Sequence, residues 1–379
     1  MTTPTQNIAL AAAGYKRGGS IQINTSRTYT IPATGWYRIA GVGAGSTGGA
    51  IFVTTTGGAS SGAGGPGFAE SEVYLSKGTT LTIVIGAGGA LVTSSVSGTG
   101  VAGNVGGTTT ITIPGYDTLT ITAPGAGTFT VTNAATVTGG VGGIGSGGNS
   151  VNATGGVGGA ATHTTNAANG GGAGGAGSPY GTGGNGGAAS CTVLGGGGGG
   201  SAGGFDGGAA TGTSSNGGGA GMGGAGAATA STLANVGGVN KLGVTASNAY
   251  RHLSSLDGGI RTSRPTANGQ HGASLGMGFD SVIDAFRAIS GGGLPGNYTG
   301  LGNAGSGAGA GGSAQTANDG GGPGVMGGGG GFSSAAAQSL SASYFNSVGN
   351  SSGGSACTTT GPAYSPAATS GFIVIERIA

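Results

Sequence analysis

The chain has little of what most soluble enzymes contain. Only 5% of its 379 residues are charged and 5% are aromatic, whereas about 25% of the residues in a typical soluble domain are charged. The net charge is +2 without a run of Lys or Arg, so nucleic acid is a poor candidate partner. No stretch approaches the roughly 18 apolar residues of a membrane-spanning helix, and we expect no membrane insertion.

Cysteine and targeting features are also scarce. The only two cysteines, Cys191 and Cys357, are too few for a disulfide framework. An apolar run at residues 8–13 is followed, and not preceded, by Lys16 and Arg17, which is the wrong order for a secretion signal. We therefore expect folding in a reducing cytoplasm with both cysteines as buried thiols, although the sequence leaves a pairing of the two open.

Glycine is abundant instead, with 101 residues in short clusters. It recurs at every third position over residues 139–148, 171–177 and 181–187. Three residues make one turn of the left-handed polyproline II helix, and a glycine edge lets a neighbour approach closely. We predict short polyglycine II helices packed side by side through backbone hydrogen bonds. A flexible linker is the competing interpretation, but the low net charge is not typical of disordered chains.

Strand-like sequence flanks the glycine clusters. Thr alternates with Ile or Leu over residues 80–85, 108–113 and 117–122, and Gly and Pro turns separate such segments, as in a β-sandwich. The last segment, 372–378, alternates imperfectly, which predicts a strand with both faces covered that pairs near residues 36–42.

The predicted fold class is mainly β, with a sandwich-like base, a large glycine-rich insertion and one short α-helix that begins near Asp280. The predicted parts are an N-terminal arm (1–20), the β base (21–137), the polyglycine II region (138–235), a mixed insertion with the helix (236–300), a second glycine-rich stretch (301–335) and a return segment with the last strand (336–379).

Catalytic motifs are weak, and we expect no enzyme, metal or cofactor. Residues 43–48 match G-x-G-x-x-G, but strand-like sequence follows them where a dinucleotide site needs a helix. Glu70 and Glu72 share a strand face at a spacing that two glycosidase carboxyls could span, yet two exposed glutamates on a strand are commoner. The G-x-S-x-G motif also occurs, but never between a clear strand and a helix as a nucleophile elbow requires. Its serines are Ser60, Ser201, Ser274 and Ser351.

Aromatic side chains beside glycine-rich loops are the main binding candidates. A ring without large neighbours either plugs the core or faces outward, where it offers rigid contact area. A loose basic stretch around residue 251 is either solvated surface or a contact for an anionic sugar or phosphate. The candidate receptor-binding residues are Tyr180, Phe205, Tyr250, Arg251, His252, Tyr298, Tyr344 and Phe345.

Four segments in a recurring order carry a resemblance to a known family: residues 36–45, 64–69, 77–89 and 371–375. In this order they resemble the glycine-rich domain of bacteriophage tail fibres and related receptor-binding proteins. The resemblance spans most of the chain, although residues 240–300 look like extra decoration.

The resemblance implies a virion protein, made in the host cytoplasm, in a tail fibre or at the tail tip. Loops between glycine helices would bind a bacterial surface receptor, either a polysaccharide or an outer-membrane protein. The remaining partners would be other virion tail proteins, and tail fibres are often homotrimers. Three alternatives stay open: a structural virion protein that decorates the capsid or tail, an ice-binding protein and, last, a depolymerase.

Overall fold

The computed structural model describes residues 20–53, 57–164, 168–179, 181–200, 204–216, 313–315, 356–358, 362–365 and 367–378. Within these residues the chain forms strands and no helix, which confirms the prediction of a mainly β protein. The helix predicted near Asp280, the mixed insertion 236–300 and the arm up to residue 19 lie outside them.

The strands are short, and three of them, at residues 80–84, 109–112 and 119–121, fall in the segments with the predicted alternation of Thr with Ile or Leu. In chain order they are β1 (Ser20–Ile23), β2 (Arg27–Thr30), β3 (Gly35–Val42), β4 (Ala50–Phe52), β5 (Gly58–Ser60), β6 (Phe68–Leu75), β7 (Thr80–Val84), β8 (Val92–Ser94), β9 (Thr99–Val101), β10 (Thr109–Thr112), β11 (Leu119–Ile121), β12 (Phe129–Thr130), β13 (Thr136–Val137), β14 (Gly145–Ser146), β15 (Val151–Ala153), β16 (Ala161–Thr162), β17 (Ala168–Gly170), β18 (Ala189–Gly196), β19 (Ala210–Asn216), β20 (Ser313–Gln315), β21 (Ala356–Thr358), β22 (Ala363–Ser365) and β23 (Phe372–Arg377).

Two five-stranded antiparallel sheets form the base of the molecule. Their strand orders are β1-β23-β3-β6-β15 and β14-β11-β10-β7-β2. Ile39 and Ile375 of the first sheet share one core with Leu81 and Ile111 of the second. Every second side chain of a strand points to the same face, so the alternation of Thr with Ile or Leu supplies this core.

The last strand closes the base, as predicted. β23 lies between β1 and β3, and Phe372 pairs with Val42 while Arg377 pairs with Tyr37. Its residues are buried along nearly the whole strand. The turn expected between β10 and β11 is also present, and Gly115 adopts a positive φ of 82° there, which glycine tolerates without steric cost.

Tyr37 gives this core a pH dependence. Its ring is 2% exposed, and its hydroxyl donates to the Ala33 carbonyl at 2.6 Å. Burial raises the pKa of Tyr37 above the ordinary value of 10.0. Because the raised pKa belongs to the folded state, the stability that Tyr37 contributes is complete below about pH 10 and declines as pH rises through the folded pKa.

We therefore expect Tyr37→Phe to lower the free energy of unfolding by about 1 kcal/mol at neutral pH. It should also remove part of the loss of stability above about pH 10. Denaturant titrations at neutral and alkaline pH would measure both effects, with the half-exposed Tyr74 changed to Phe as the control. An alkaline decline that is identical in the wild type and in Tyr37→Phe would contradict this assignment.

Extended glycine-rich segments lead directly from the base strands to a second set of sheets. Residues 43–49 connect β3 to β4, and residues 61–67 connect β5 back to β6. The far strands form three separate sheets. Their orders are β12-β5-β17-β18-β16-β13, β20-β21-β4-β9 and β22-β8, and in the first of them β19 also pairs with β18. We call these the distal sheets, because the glycine segments separate them from the base.

The glycine segments hydrogen-bond to one another at every third residue. Between parallel segments, the N–H groups of Gly171, Gly174 and Gly177 donate to the carbonyls of Ser60, Ala63 and Pro66 at 2.9–3.0 Å. Between antiparallel segments, the N–H groups of Gly62 and Gly65 donate to the carbonyls of Gly159 and Gly156 at 2.8–3.1 Å. None of these glycines has a positive φ. The bonds therefore recur with a period of three residues along each segment.

The segments pack side by side as extended rods that run in both chain directions, and we call this assembly the glycine array. Segment 61–67 lies at the centre, and each rod around it bonds both to it and to the next rod. In order around it these rods are segments 43–49, 123–128, 138–144, 154–160 and 171–177. Segments 183–188, 197–200 and 205–209 extend the same packing outward.

Rods such as 138–144 require glycine at two of every three positions. A Cβ atom on Gly139 would lie 1.8 Å from the Gly158 carbonyl oxygen, and one on Gly140 would lie 2.0 Å from that of Gly125. The third residue, Val141, is 68% exposed. The sequence predicted a glycine requirement at one position in three, which is too low for this rod, because it has close neighbours on two sides.

Glycine segments and base strands alternate along the chain. The first glycine segment begins at residue 43, within the range 21–137 that was predicted to form only the base. β4, β5, β8, β9, β12 and β13 also lie in this range but belong to the distal sheets. The array therefore lies between two sets of sheets, because each rod needs neighbours that come from distant parts of the chain.

Candidate functional site

One face of the glycine array carries a regular set of exposed side chains. Segments 138–144, 154–160, 183–188 and 205–209 are bonded in sequence, and we call them the outer layer. Their third-position residues point away from the array, and Val141, Ile144 and Val157 are 68%, 54% and 43% exposed. The outer layer is thus a row of rods, side by side, with exposed side chains at a three-residue repeat.

Polar side chains connect the rods of the outer layer. The backbone N–H of Val157 donates to Asn185 Oδ1 at 2.8 Å, and that of Asn185 donates to Asp206 Oδ1 at 2.6 Å. Thr154 Oγ1 and Thr182 Oγ1 lie 3.2 Å apart. Each backbone N–H needs an acceptor. Inside the array the acceptor is a carbonyl of a neighbouring rod, whereas here it is a side-chain oxygen of a neighbouring rod.

Of the predicted receptor-binding residues, the structure describes Phe205. Its side chain is half-buried at the start of segment 205–209, beside the exposed Asp206. Phe205 lies at the base end of the array, because its segment runs parallel to 183–188 toward the distal strand β19. The other candidates lie outside the described residues: Tyr180, Tyr250, Arg251, His252, Tyr298, Tyr344 and Phe345.

The distal sheets expose apolar side chains that sequence reasoning missed. Val96, between β8 and β9, is 63% exposed, and Val131, between β12 and β13, is 44% exposed. Both residues lie in loops at the end of the array that faces away from the base. Their position in short loops between Thr-rich strands could have indicated exposure, but valine is commonly assigned to the core.

Glu70 and Glu72 belong to a charged cluster on the outer face of the base. Arg38 Nη2 lies 2.6 Å from Glu72 Oε1, and the guanidinium approaches Glu70 at 3.8 Å and Glu376 at 3.9 Å. The side chains of Glu70 and Glu376 are 0% and 1% exposed. The expectation of two exposed glutamates is wrong for Glu70, because Arg38 on the adjacent strand and its surroundings enclose it.

This cluster lacks the space that a glycosidase needs. The cavity beside Glu70 measures about 10 Å³ and has an apolar lining that includes Phe68, Pro179 and Phe372. A cavity of this size holds about one water molecule. A sugar ring therefore has no place between these carboxylates in the described part of the protein.

The other catalytic motifs also adopt unsuitable structures. Residues 43–48 form an extended rod, and strand β4 follows where a dinucleotide site needs a helix. Ser60 is buried in β5, where it pairs with Phe129 and Gly170, so it is not the exposed serine of a nucleophile elbow. Ser201, Ser274 and Ser351 lie outside the described residues.

Metal ligands and membrane-spanning helices are absent from the part of the chain that the structure describes. There, no three His, Cys, Asp or Glu side chains come together as metal ligands. Of the same residues, none forms a helix that is long and apolar enough to cross a membrane. Cys191 is a buried thiol in β18. No known protein family matches this chain, and no curated protein matches it either.

Proposed function

We propose that this protein is a non-enzymatic attachment module of a bacteriophage virion, in a tail fibre or at the tail tip, that binds the bacterial surface. One observation carries the proposal: glycine-rich rods are cross-bonded at every third residue into an array between two sets of sheets. We interpret the rods as packed polyglycine II helices on a β-sandwich base. This architecture agrees with the family that the sequence resembles.

The physical cost of the array supports a scaffolding role. Ordering a backbone residue costs roughly 1–2 kcal/mol, and glycine lies at the expensive end. In rods without side chains, backbone hydrogen bonds and close packing must offset that cost. The result is a stiff body, and exposed residues of its distal loops are free to vary with the receptor.

The two ends of the molecule suit two kinds of partner. Base strands such as β3 and β6 lead into one end of the array, and the distal sheets cover the other end. In the proposed virion, the base contacts other tail proteins. The distal loops, including those with Val96 and Val131, then face a bacterial polysaccharide or outer-membrane protein.

A cell-binding assay tests the proposal. Fluorescently labelled protein should bind some strains of a bacterial panel, saturably and in competition with unlabelled protein. We expect Val131→Glu in a distal loop to weaken this binding about tenfold, as truncation at an interface hot spot does. Val84→Glu is the matched control, because Val84 is similarly exposed, at 46%, on base strand β7. Phe205→Ala tests the predicted residue at the base end.

The outcomes separate the proposal from its main alternative. If no strain retains the protein, the attachment function is wrong and a structural decoration of the capsid or tail is favoured. A map of the assembled virion with the distal loops buried between subunits would support the same conclusion. Ice binding stays a prediction, which thermal hysteresis of the purified protein would test.

A further inference from the structure

Exposed aromatic side chains cluster at the end of the base that points away from the glycine array. Trp36 and Tyr74 face each other across β3 and β6 with ring centroids 5.7 Å apart and an interplanar angle of 68°. They are 48% and 50% exposed, and nearby Tyr116 is 41% exposed. In a chain with 5% aromatic residues, this concentration of exposed rings is typical of a binding surface.

Side-chain hydrogen bonds hold Tyr116 and Asn149 against β6 where its edge is open, beyond the residues that pair with β15. The Tyr116 hydroxyl accepts from the backbone N–H of Tyr74 at 3.2 Å and donates to its carbonyl at 3.1 Å. The Asn149 amide makes the same two bonds to Glu72, each at 2.9 Å. These side chains replace a neighbouring strand, so both are fixed in position.

A polar groove lies beside these anchored side chains. It measures about 530 Å³ and is lined by Ser71, Tyr116, Asp117 and the backbone of residues 147–149. That volume is within the usual range for small-ligand sites, about 300–1,000 Å³. Tyr116 supplies a ring, Asp117 an exposed carboxylate and Ser71 a hydroxyl that already accepts the Asn149 N–H at 3.1 Å.

The charge of the groove selects the ligand class. Among the described residues that line it, Asp117 is the charged one, and it is acidic. Arg38, the cation on the adjacent sheet face, is engaged by Glu72 at 2.6 Å. An anionic ligand would therefore meet a carboxylate without a counter-charge. A neutral ligand with hydroxyl donors and one apolar face is complementary to the carboxylate and to the ring.

We propose that this groove binds an uncharged pyranose of a cell-surface glycan. The apolar face of the sugar packs on the Tyr116 ring, and its hydroxyls donate to the Asp117 carboxylate, which makes charge-assisted hydrogen bonds. The proposal rests on the attachment function and names its ligand class. The groove opens at the β6 edge among the turns at the end of the base that points away from the array, so the proposal requires neighbouring tail proteins to leave this edge uncovered.

Glycan binding by the full chain tests this site. On an array of neutral and sialylated or phosphorylated glycans, neutral structures should be retained and acidic ones rejected. Calorimetry with the best neutral oligosaccharide should show about tenfold weaker binding for Tyr116→Ala and for Asp117→Asn. Tyr116→Phe keeps the ring and should retain most of the affinity. If Tyr116→Phe loses as much as Tyr116→Ala, Tyr116 only caps the strand edge and the proposal is wrong.

Two controls keep the result interpretable. Trp36 is the only tryptophan, so unchanged intrinsic fluorescence shows that this end of the base is folded in each variant. Periodate treatment of the cells should remove binding, because it cleaves sugar diols. Loss of binding only after protease treatment would identify a protein receptor and overturn the proposal.

Failure of this site and failure of the attachment function are distinguishable. If wild type and groove variants bind cells equally, the glycan site is wrong and attachment stands. If neutral glycans bind in calorimetry but no cells are bound, the site stands and attachment is wrong. Retention of no neutral glycan on the array would overturn the site.

Discussion

Replacing Gly65 with alanine is expected to lower the free energy of unfolding by about 3 kcal/mol or more. Gly65 lies in the central rod, where an added Cβ would meet the Gly175 carbonyl oxygen at 1.8 Å and its carbon at 2.3 Å. Backbone atoms cannot rotate away as the end of a side chain can. Segment 171–177 would have to move, and the bonds from Gly174 to Ala63 and from Gly177 to Pro66 would lengthen.

The sign of this effect makes it diagnostic. At a site that tolerates a side chain, Gly→Ala usually stabilises a protein by about 0.4–1 kcal/mol, because it restricts the unfolded chain. Denaturant unfolding followed by circular dichroism would measure the change. Val141→Ala in segment 138–144 is the control, since Val141 is 68% exposed, and it should stay within about 0.5 kcal/mol of wild type. A stable Gly65→Ala variant would disprove the close packing of the array.

Replacing Arg38 with methionine is expected to cost about 3–5 kcal/mol, the usual cost of removing one partner of a buried ion pair. Arg38 lies among three carboxylates, and those of Glu70 and Glu376 are 0% and 1% exposed. Methionine retains much of the apolar volume but removes the positive charge. The contact with Glu72, which is 40% exposed, should contribute little, because solvent screens it.

A second substitution tests whether charge causes the loss. Adding Glu376→Gln to Arg38→Met should recover part of the stability, because it removes one of the buried negative charges. Lys77→Met at an exposed position is the matched control and should change stability by no more than about 0.5 kcal/mol. If the double variant is less stable than Arg38→Met alone, electrostatic coupling in the cluster is ruled out.

Much of the base was predictable because its signals are local. The alternation in residues 80–85 and 117–122 indicated β7 and β11, and Pro-Gly placed the turn between β10 and β11. The pairing of β23 with β3 was also predicted, since both segments are strongly apolar. The burial of Glu70 was not, because it depends on Arg38 in a strand that is distant in sequence.

The candidate sites were harder to predict than the strands. Trp36, Tyr74 and Tyr116 have ordinary strand and turn contexts in the sequence, and only the pairing of β3 with β6 and the bonds to the open edge of β6 bring them together. Attention to glycine loops instead selected Phe205, which is half-buried. A preference of aromatic residues for the core, which is correct on average, concealed the exposed cluster.

By itself, the sequence determined two local periods: the alternation that makes strands and the glycine spacing that makes extended segments without side chains. Only the tertiary structure decided that rods such as 138–144 need glycine at two positions in three, which rods are neighbours, and where Val141 and Asn185 point. The reason is that the backbone hydrogen bonds of the glycine segments go to other segments of the chain. All their partners lie elsewhere in the chain, so the role of each residue follows from long-range packing.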